Sequence, residues 1–301
     1  MPASGAVIEG GTGLPALLDL GPVRIHWLRG GRFRLDGGAM FGPVPKPLWR
    51  RRYPCDEHNS IPMQAYPLLV ETPTARLLIE AGLGTGLTDK QRRNFRVEAA
   101  PALEEDLAAL GLTPADIDYV VYTHMDWDHV GGGVRHDAGG EPAFPRARYV
   151  IQRAEWEAAV NPDSRTRHGY WPQNWQPLLA AGQVELVDGD AELVPGVYLH
   201  MTGGHTHGHQ VVRIEAGDCT VLHLGDLLPT HAHLNPLWVM AYDNFPLTSV
   251  AQKEKWLAQA QAGGWWLTFY HDPFVLAAVL DADGQLAQPV PGELGFPPPL
   301  N

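Results

Sequence analysis

Within the six positions from His124 to His129 the chain carries four groups able to hold a metal: His124, Asp126, Asp128 and His129. Gly131, Gly132 and Gly133 follow closely, and the apolar run Ile117 to Tyr122 precedes. A run of this kind constrains the fold, because a buried carboxylate left unpaired costs several kcal/mol, of order 3–5. The chain must therefore bring the end of a buried strand to a polar centre, on the loop where sites collect in layered α/β folds. On looped backbone, positions two and four apart need not face the same way, so one pair of side chains can turn to one ion and the other pair to a second.

Three more candidates follow apolar runs: His205 in Gly203-Gly204-His205-Thr206, Asp226 in Leu224-Gly225-Asp226, and His271 in Phe269-Tyr270-His271-Asp272. A shared metal would satisfy these groups together. The pattern between them is α/β. Pro67 to Glu71 and Ala75 to Glu80 read as a hairpin around Thr72-Pro73-Thr74. The segment from Ala102, with Glu104, Glu105 and Asp106 in its first turn and Leu103, Leu107 and Leu110 on one stripe, reads as a helix stopped at Gly111. Further strands are expected at Arg148 to Gln152, Val184 to Val187, Val197 to Met201, Val211 to Glu215, Thr220 to Leu224 and Trp265 to Tyr270, with a helix near Ser249 to Ala262. Neither a repeat nor a Pro/Gly linker divides the chain. One domain over residues 1–301 is expected, its core running from about Pro22 to Leu286 between a turn-rich N-terminal arm and a Pro-rich tail.

Composition narrows the partners. The formal charge is -12, and the longest basic run, Arg50 to Arg52, is too short to track a phosphate backbone, which argues against nucleic acid. Acidity is compatible with bound divalent cations. Cys55 and Cys219 stand far apart with no CxxC spacing, so neither a disulfide framework nor a thiolate zinc site is expected and a reducing cytoplasm is favoured. The stretch Met1 to Gly13 lacks the features of a signal peptide, and no apolar run reaches the roughly 20 residues of a membrane span. A small-molecule substrate is the expected partner, and a homodimer is left open.

In order and spread over Leu68 to His271, these blocks resemble the metallo-β-lactamase superfamily, with its His-x-His-x-Asp-His, Gly-His-Thr, Gly-Asp and final-His motifs. The resemblance implies a four-layer αββα sandwich with its site between the sheets. It also implies two divalent ions: His124, Asp126 and His205 on one, Asp128, His129 and His271 on the other, and Asp226 between them. The family's second histidine is Asp126 here. A carboxylate is a harder ligand than imidazole, so zinc is the first expectation while manganese and iron gain weight. The stretch Asp36 to Trp49, with Asn59 and Ile61, is similar to the branch of the YtnP-type N-acyl-homoserine lactonases, and methyl parathion hydrolase is similar in broad layout.

The resemblance implies metal-dependent hydrolysis of a lactone or carboxylic ester, with Asp128 carrying a proton to the leaving alkoxide. A Gly-x-Ser-x-Gly elbow is lacking, so a serine mechanism has no support. Phe41, Tyr170, Trp171, Trp175, His231 and His233 are the expected substrate contacts, and His207 and His209 are candidates for orienting ligands. The alternatives are phosphotriester hydrolysis or di-iron oxygen chemistry on the same fold, and a non-catalytic metal-dependent binding protein.

Overall fold

The computed structural model describes residues 7–9 and 14–296. Two large sheets dominate it. The first orders its strands Val7–Glu9, Ala16–Asp19, Arg24–Trp27, Leu68–Glu71, Arg76–Ile79, Tyr119–Val121, Arg148–Gln152 and Val184–Val187. The second runs Ala191–Val194, Val197–Met201, Gln210–Ala216, Cys219–His223, Trp266–Thr268, Val275–Leu280 and Leu286–Pro291.

Successive side chains of a strand point to opposite faces, and both faces of both sheets are covered. Leu77 and Ile79 of the first sheet and Val212, Ile214 and Val221 of the second fill the space between the sheets. The intervening Leu78 packs outward with Leu103 and Leu107 of the helix Leu103–Ala109. On the other side Val211 and Leu222 pack outward with Trp256, Leu257 and Ala260 of the helix Pro246–Gly263. The layers are therefore helix, sheet, sheet, helix, as the resemblance implied. The continuous apolar run Tyr149 to Ile151, buried on both faces, follows from this double coverage.

Strand direction brings the candidate ligands to one edge. Tyr119–Val121 is parallel to both Arg76–Ile79 and Arg148–Gln152. In the second sheet Cys219–His223 is parallel to Trp266–Thr268, and Val197–Met201 runs the same way because two antiparallel pairings separate it from Cys219–His223. The C-terminal ends of these strands lead into His124, His205, Asp226 and His271. Gln210 joins the two sheets at that edge: its N–H donates to the carbonyl of Thr123 at 2.9 Å, its side-chain amide donates to the carbonyl of Tyr122 at 2.7 Å, and its Oε1 accepts from Gln152 at 2.9 Å.

The sheets reach further in both directions than the expected core. Ala16–Asp19 is a paired strand with Leu18 fully buried, where a turn-rich arm was expected. Val275–Leu280, an apolar run, pairs with Leu286–Pro291 beyond the expected C-terminal limit. The Pro297 to Pro299 stretch lies outside the described residues. Among the described residues no helix is long and apolar enough to cross a membrane.

Candidate metal centre and substrate cleft

Thr123 leaves its strand and His124 enters the interior at once, followed by a single helical turn, Trp127–Val130, whose N-terminal neighbour is Asp126. The turn carries Asp128 and His129 inward. Gly225, at φ +51°, bends the chain so that Asp226 follows; a β-carbon there would stand 2.7 Å from Thr123 Oγ1.

The seven expected ligands converge. His205 Nε2 is 3.4 Å from Asp126 Oδ2 and 3.5 Å from Asp226 Oδ2, and His124 Nε2 is 3.6 Å from Asp126 Oδ2. On the other side Asp226 Oδ1 is 3.2 Å from His271 Nε2 and 3.3 Å from His129 Nε2, and Asp128 Oδ2 is 3.6 Å from His271 Nε2. The two oxygens of Asp226 thus face two different sets, His124 with His205 and His129 with His271. His124, His205 and Asp226 form one buried group with the spacing of metal ligands, and Asp128, His129 and His271 form another.

Each imidazole is held from behind. His124 Nδ1 lies 2.9 Å from Thr123 Oγ1, His205 Nδ1 2.8 Å from Asp243 Oδ1, and His271 Nδ1 2.9 Å from the carbonyl of Gln64. A carbonyl only accepts, so the His271 Nδ1 carries its proton and Nε2 presents a lone pair to the centre. His129 Nδ1 faces Glu80 Oε1 at 3.3 Å. Glu80 is fully buried and also accepts from the backbone N–H of Thr123 at 3.1 Å and from its hydroxyl.

The electrostatics favour cations. Burial opposes ionisation of Asp226, yet His271 and His129 beside it hold its carboxyl well below the usual range. Burial likewise opposes ionisation of Asp126, and the imidazoles of His124 and His205 beside it hold it low. Asp128 differs, because burial outweighs its neighbours and pushes it up. His124 Nε2, His205 Nε2 and Asp226 Oδ1 are buried with no protein hydrogen-bond partner. Buried polar atoms pointing at one another and satisfied by nothing in the chain are what a divalent ion would satisfy, and the donor set of imidazoles and carboxylates suits zinc, manganese or iron.

A cleft of about 390 Å³ opens over Asp126, Asp128, His205, Asp226 and His271. Leu35, Met40, Phe95, Trp127 and Tyr242 give it an apolar wall, and Arg165, His168, Tyr170 and Asn244 a polar one. Gly169 closes onto the centre: a β-carbon there would stand 2.3 Å from Asp126 Oδ1, and its carbonyl accepts from Trp127 N–H at 3.1 Å.

Of the six expected substrate contacts, Tyr170 lines this cleft and the other five do not. Trp171 stacks behind the lining Trp127 at 5.2 Å and backs the wall instead. Trp175 is buried against Trp156. Phe41, fully buried, is sandwiched between Trp49 at 4.8 Å and His233 at 4.5 Å. His233 bonds to the Met40 carbonyl and Thr230, which spends both ring nitrogens. His231 pairs with buried Asp272 and packs on Tyr53 and Phe274. His209 is buried with Nδ1 2.8 Å from Thr202 Oγ1 and its ring 5.4 Å from that of His124, whereas His207 packs on Phe245.

Sequence reasoning passed over Glu80, Asp243 and Glu155. Glu155, fully buried, accepts from Met125 N–H at 2.9 Å, Gly208 N–H at 3.0 Å and Tyr170 Oη at 3.0 Å, tying together the segments on three sides of the site.

Known proteins resemble this chain in sequence and in fold. The family model of the metallo-beta-lactamase superfamily matches residues 61–135 and 137–272. An N-acyl homoserine lactonase of Bacillus is 29% identical over 202 residues, covering 64% of this chain and 70% of that protein. The crystal structure of a probable metal-dependent hydrolase from Staphylococcus aureus superposes with TM-score 0.87 at 38% identity, covering 91% of this chain and 99% of that one. AidC, a dizinc quorum-quenching lactonase, shares the fold at TM-score 0.76 and 20% identity, covering 92% and 97%.

Proposed function

The chain belongs to the metallo-beta-lactamase superfamily and is a metal-dependent hydrolase, and from that premise we propose that it cleaves a lactone or carboxylic ester. The observation that carries this reading is the cleft, whose apolar wall leads directly onto two ligand sets joined by the split carboxylate of Asp226. An apolar wall suits an acyl chain.

His124, Asp126 and His205 would hold one divalent ion, Asp128, His129 and His271 the other, and Asp226 would span both. Bound there, two such ions, zinc first among the candidates, would supply a water made far more acidic than bulk water, with a pKa of about 7, and a Lewis acid for the carbonyl. The chain's own residues do the rest. Leu35, Met40, Phe95 and Trp127 seat the acyl chain and shed water from it. Asp128, whose carboxyl burial pushes up, carries a proton to the alkoxide that leaves when the ring or ester opens. N-acyl homoserine lactones are the first substrates to try, because several relatives are N-acyl homoserine lactonases.

A panel of one N-acyl homoserine lactone, one aryl ester and one phosphotriester, followed by acid release from zinc-loaded protein, tests the reading. Acid release from the lactone or ester supports it. Turnover confined to the phosphotriester overturns it in favour of phosphoester chemistry on the same centre.

A further inference from the structure

Arg165 is a cation of the cleft wall with no carboxylate to pair with among the described residues. It is also fixed in place. Its Nε donates to Asn244 Oδ1 at 2.7 Å, and its Nη2 donates to the carbonyls of Ala241 at 2.8 Å and Asp243 at 2.9 Å. At its own backbone, the Asp163 carboxylate accepts from Arg165 N–H at 2.8 Å and from Thr166 N–H at 2.9 Å, locking the turn that presents it.

The anchor is shared with the centre. Asn244, which receives Arg165 Nε, donates its own N–H and Nδ2 to the carbonyl of His205 at 2.9 and 3.0 Å. Asp243, whose carbonyl receives Nη2, holds His205 Nδ1. The guanidinium is thereby set in register with His205. Holding an arginine side chain this way removes the rotamer entropy that a free one would lose on binding. Nε and Nη2 are spent on the protein, so neither two-nitrogen fork remains whole, and Nη1 is left with two N–H groups for a single acceptor.

Building on the hydrolase reading above, we infer that Arg165 is a specificity-determining residue that selects acyl substrates carrying an oxygen acceptor, an amide carbonyl or a carboxylate, beyond the scissile bond. Plain alkyl lactones satisfy the apolar wall and leave Nη1 unmatched. Among the residues that line the cleft Arg165 is the only arginine or lysine, so away from the metal centre it is the fixed positive charge that an acceptor on the acyl chain would meet.

The test uses the full chain loaded with zinc and the variants Arg165→Met and Arg165→Gln, each checked for an unchanged thermal midpoint. Three lactones of similar length serve: a plain alkyl lactone, an N-acyl homoserine lactone and a lactone with a carboxylate on its chain. Binding of the corresponding ring-opened acids is titrated calorimetrically in parallel. In both variants KM and product Kd should rise roughly tenfold, the worth of one charge-assisted hydrogen bond, for compounds bearing the acceptor, and less than about twofold for the plain one. A larger rise for the carboxylate than for the amide assigns the preference to charge, and equal rises assign it to the shared acceptor. Equal losses on all three compounds, or no loss on any, overturn the inference. Selective product binding without turnover of any lactone leaves Arg165 in this role and instead overturns the hydrolytic reading.

Discussion

Asp243 stands 2.8 Å from Nδ1 of His205, 38 residues away in sequence, and both are buried. The carboxylate fixes the ring so that Nε2 faces Asp126 and Asp226. Removing such a partner typically costs 10–100-fold in metal affinity. Asp243→Ala should lose about that much in a chelator competition while keeping its fold, as read by circular dichroism. Unchanged affinity would show that His205 needs no orientation from this side.

Among the described residues Asp226 is the one carboxylate whose two oxygens face both ligand sets. Asp226→Ala should lower the metal content of the purified protein from about two ions per chain to about one or fewer. Elemental analysis reads this directly.

Asp126 puts a negative charge where the superfamily pattern has imidazole. Asp126→His should shift the metal retained after purification from mixed medium toward zinc, and Asp126→Ala should lose one ion. Identical metal content in all three proteins would place Asp126 outside the ligand set.

Glu155 satisfies three donors in the interior. Glu155→Ala strands Met125 N–H, Gly208 N–H and the Tyr170 hydroxyl, and should lower unfolding stability by about 3 kcal/mol or more. Urea denaturation measures it, and activity should fall with it, because Met125 lies between His124 and Asp126.

Lys253 is buried on the helix Pro246–Gly263, and its ammonium donates to the carbonyl of Trp238 at 2.7 Å. Burial brings its pKa from 10.5 down to about 8, with Asp243 pulling the other way. Below about pH 8 the amine is charged in both folded and unfolded chains, so its contribution there is constant. Between about 8 and 10.5 the folded chain has released a proton that the unfolded chain still binds, and stability should rise with pH, by up to about 3 kcal/mol. The difference between wild type and Lys253→Met, from melts at pH 7.5, 9 and 10, isolates this term; a flat difference would show that the amine stays charged when folded.

The cluster of candidate ligands was legible in the sequence because histidine and aspartate recur at strand ends in a dense and ordered pattern. The hairpin at Thr72 to Thr74 and the helix ending before Gly111 were legible for a local reason, since their turn and stop residues act within a few positions. Glu80, Glu155 and Asp243 were not, because each is a lone acid held by residues far along the chain: Thr123, Met125, Gly208 and His205 lie 30 to 53 residues from the acids they meet. Aromatic side chains misled for another reason. Phe41, Trp175 and Trp127 look alike in sequence, and only the packing of the 36–49 and 163–175 segments decides which of them meets the cleft. The strands Ala16–Asp19 and Val275–Leu280 lay outside the expected core or were passed over, although Leu18, Leu276, Ala277 and Val279 are buried between the sheets against residues distant in sequence.

The joint that Gln210 makes across the sheets bears on the order in which the molecule comes together. His124 and His129 belong to the half of the chain that forms the first sheet; His205, Asp226 and His271 belong to the half that forms the second. Neither of the two proposed ligand sets is complete within one half, so both can close around a cation only after the halves have docked. An ion captured at that late stage acts as a clasp: stripping it should leave the rate of refolding nearly as it was and hasten unfolding, so that chelation shortens the lifetime of the native state before it impairs its formation.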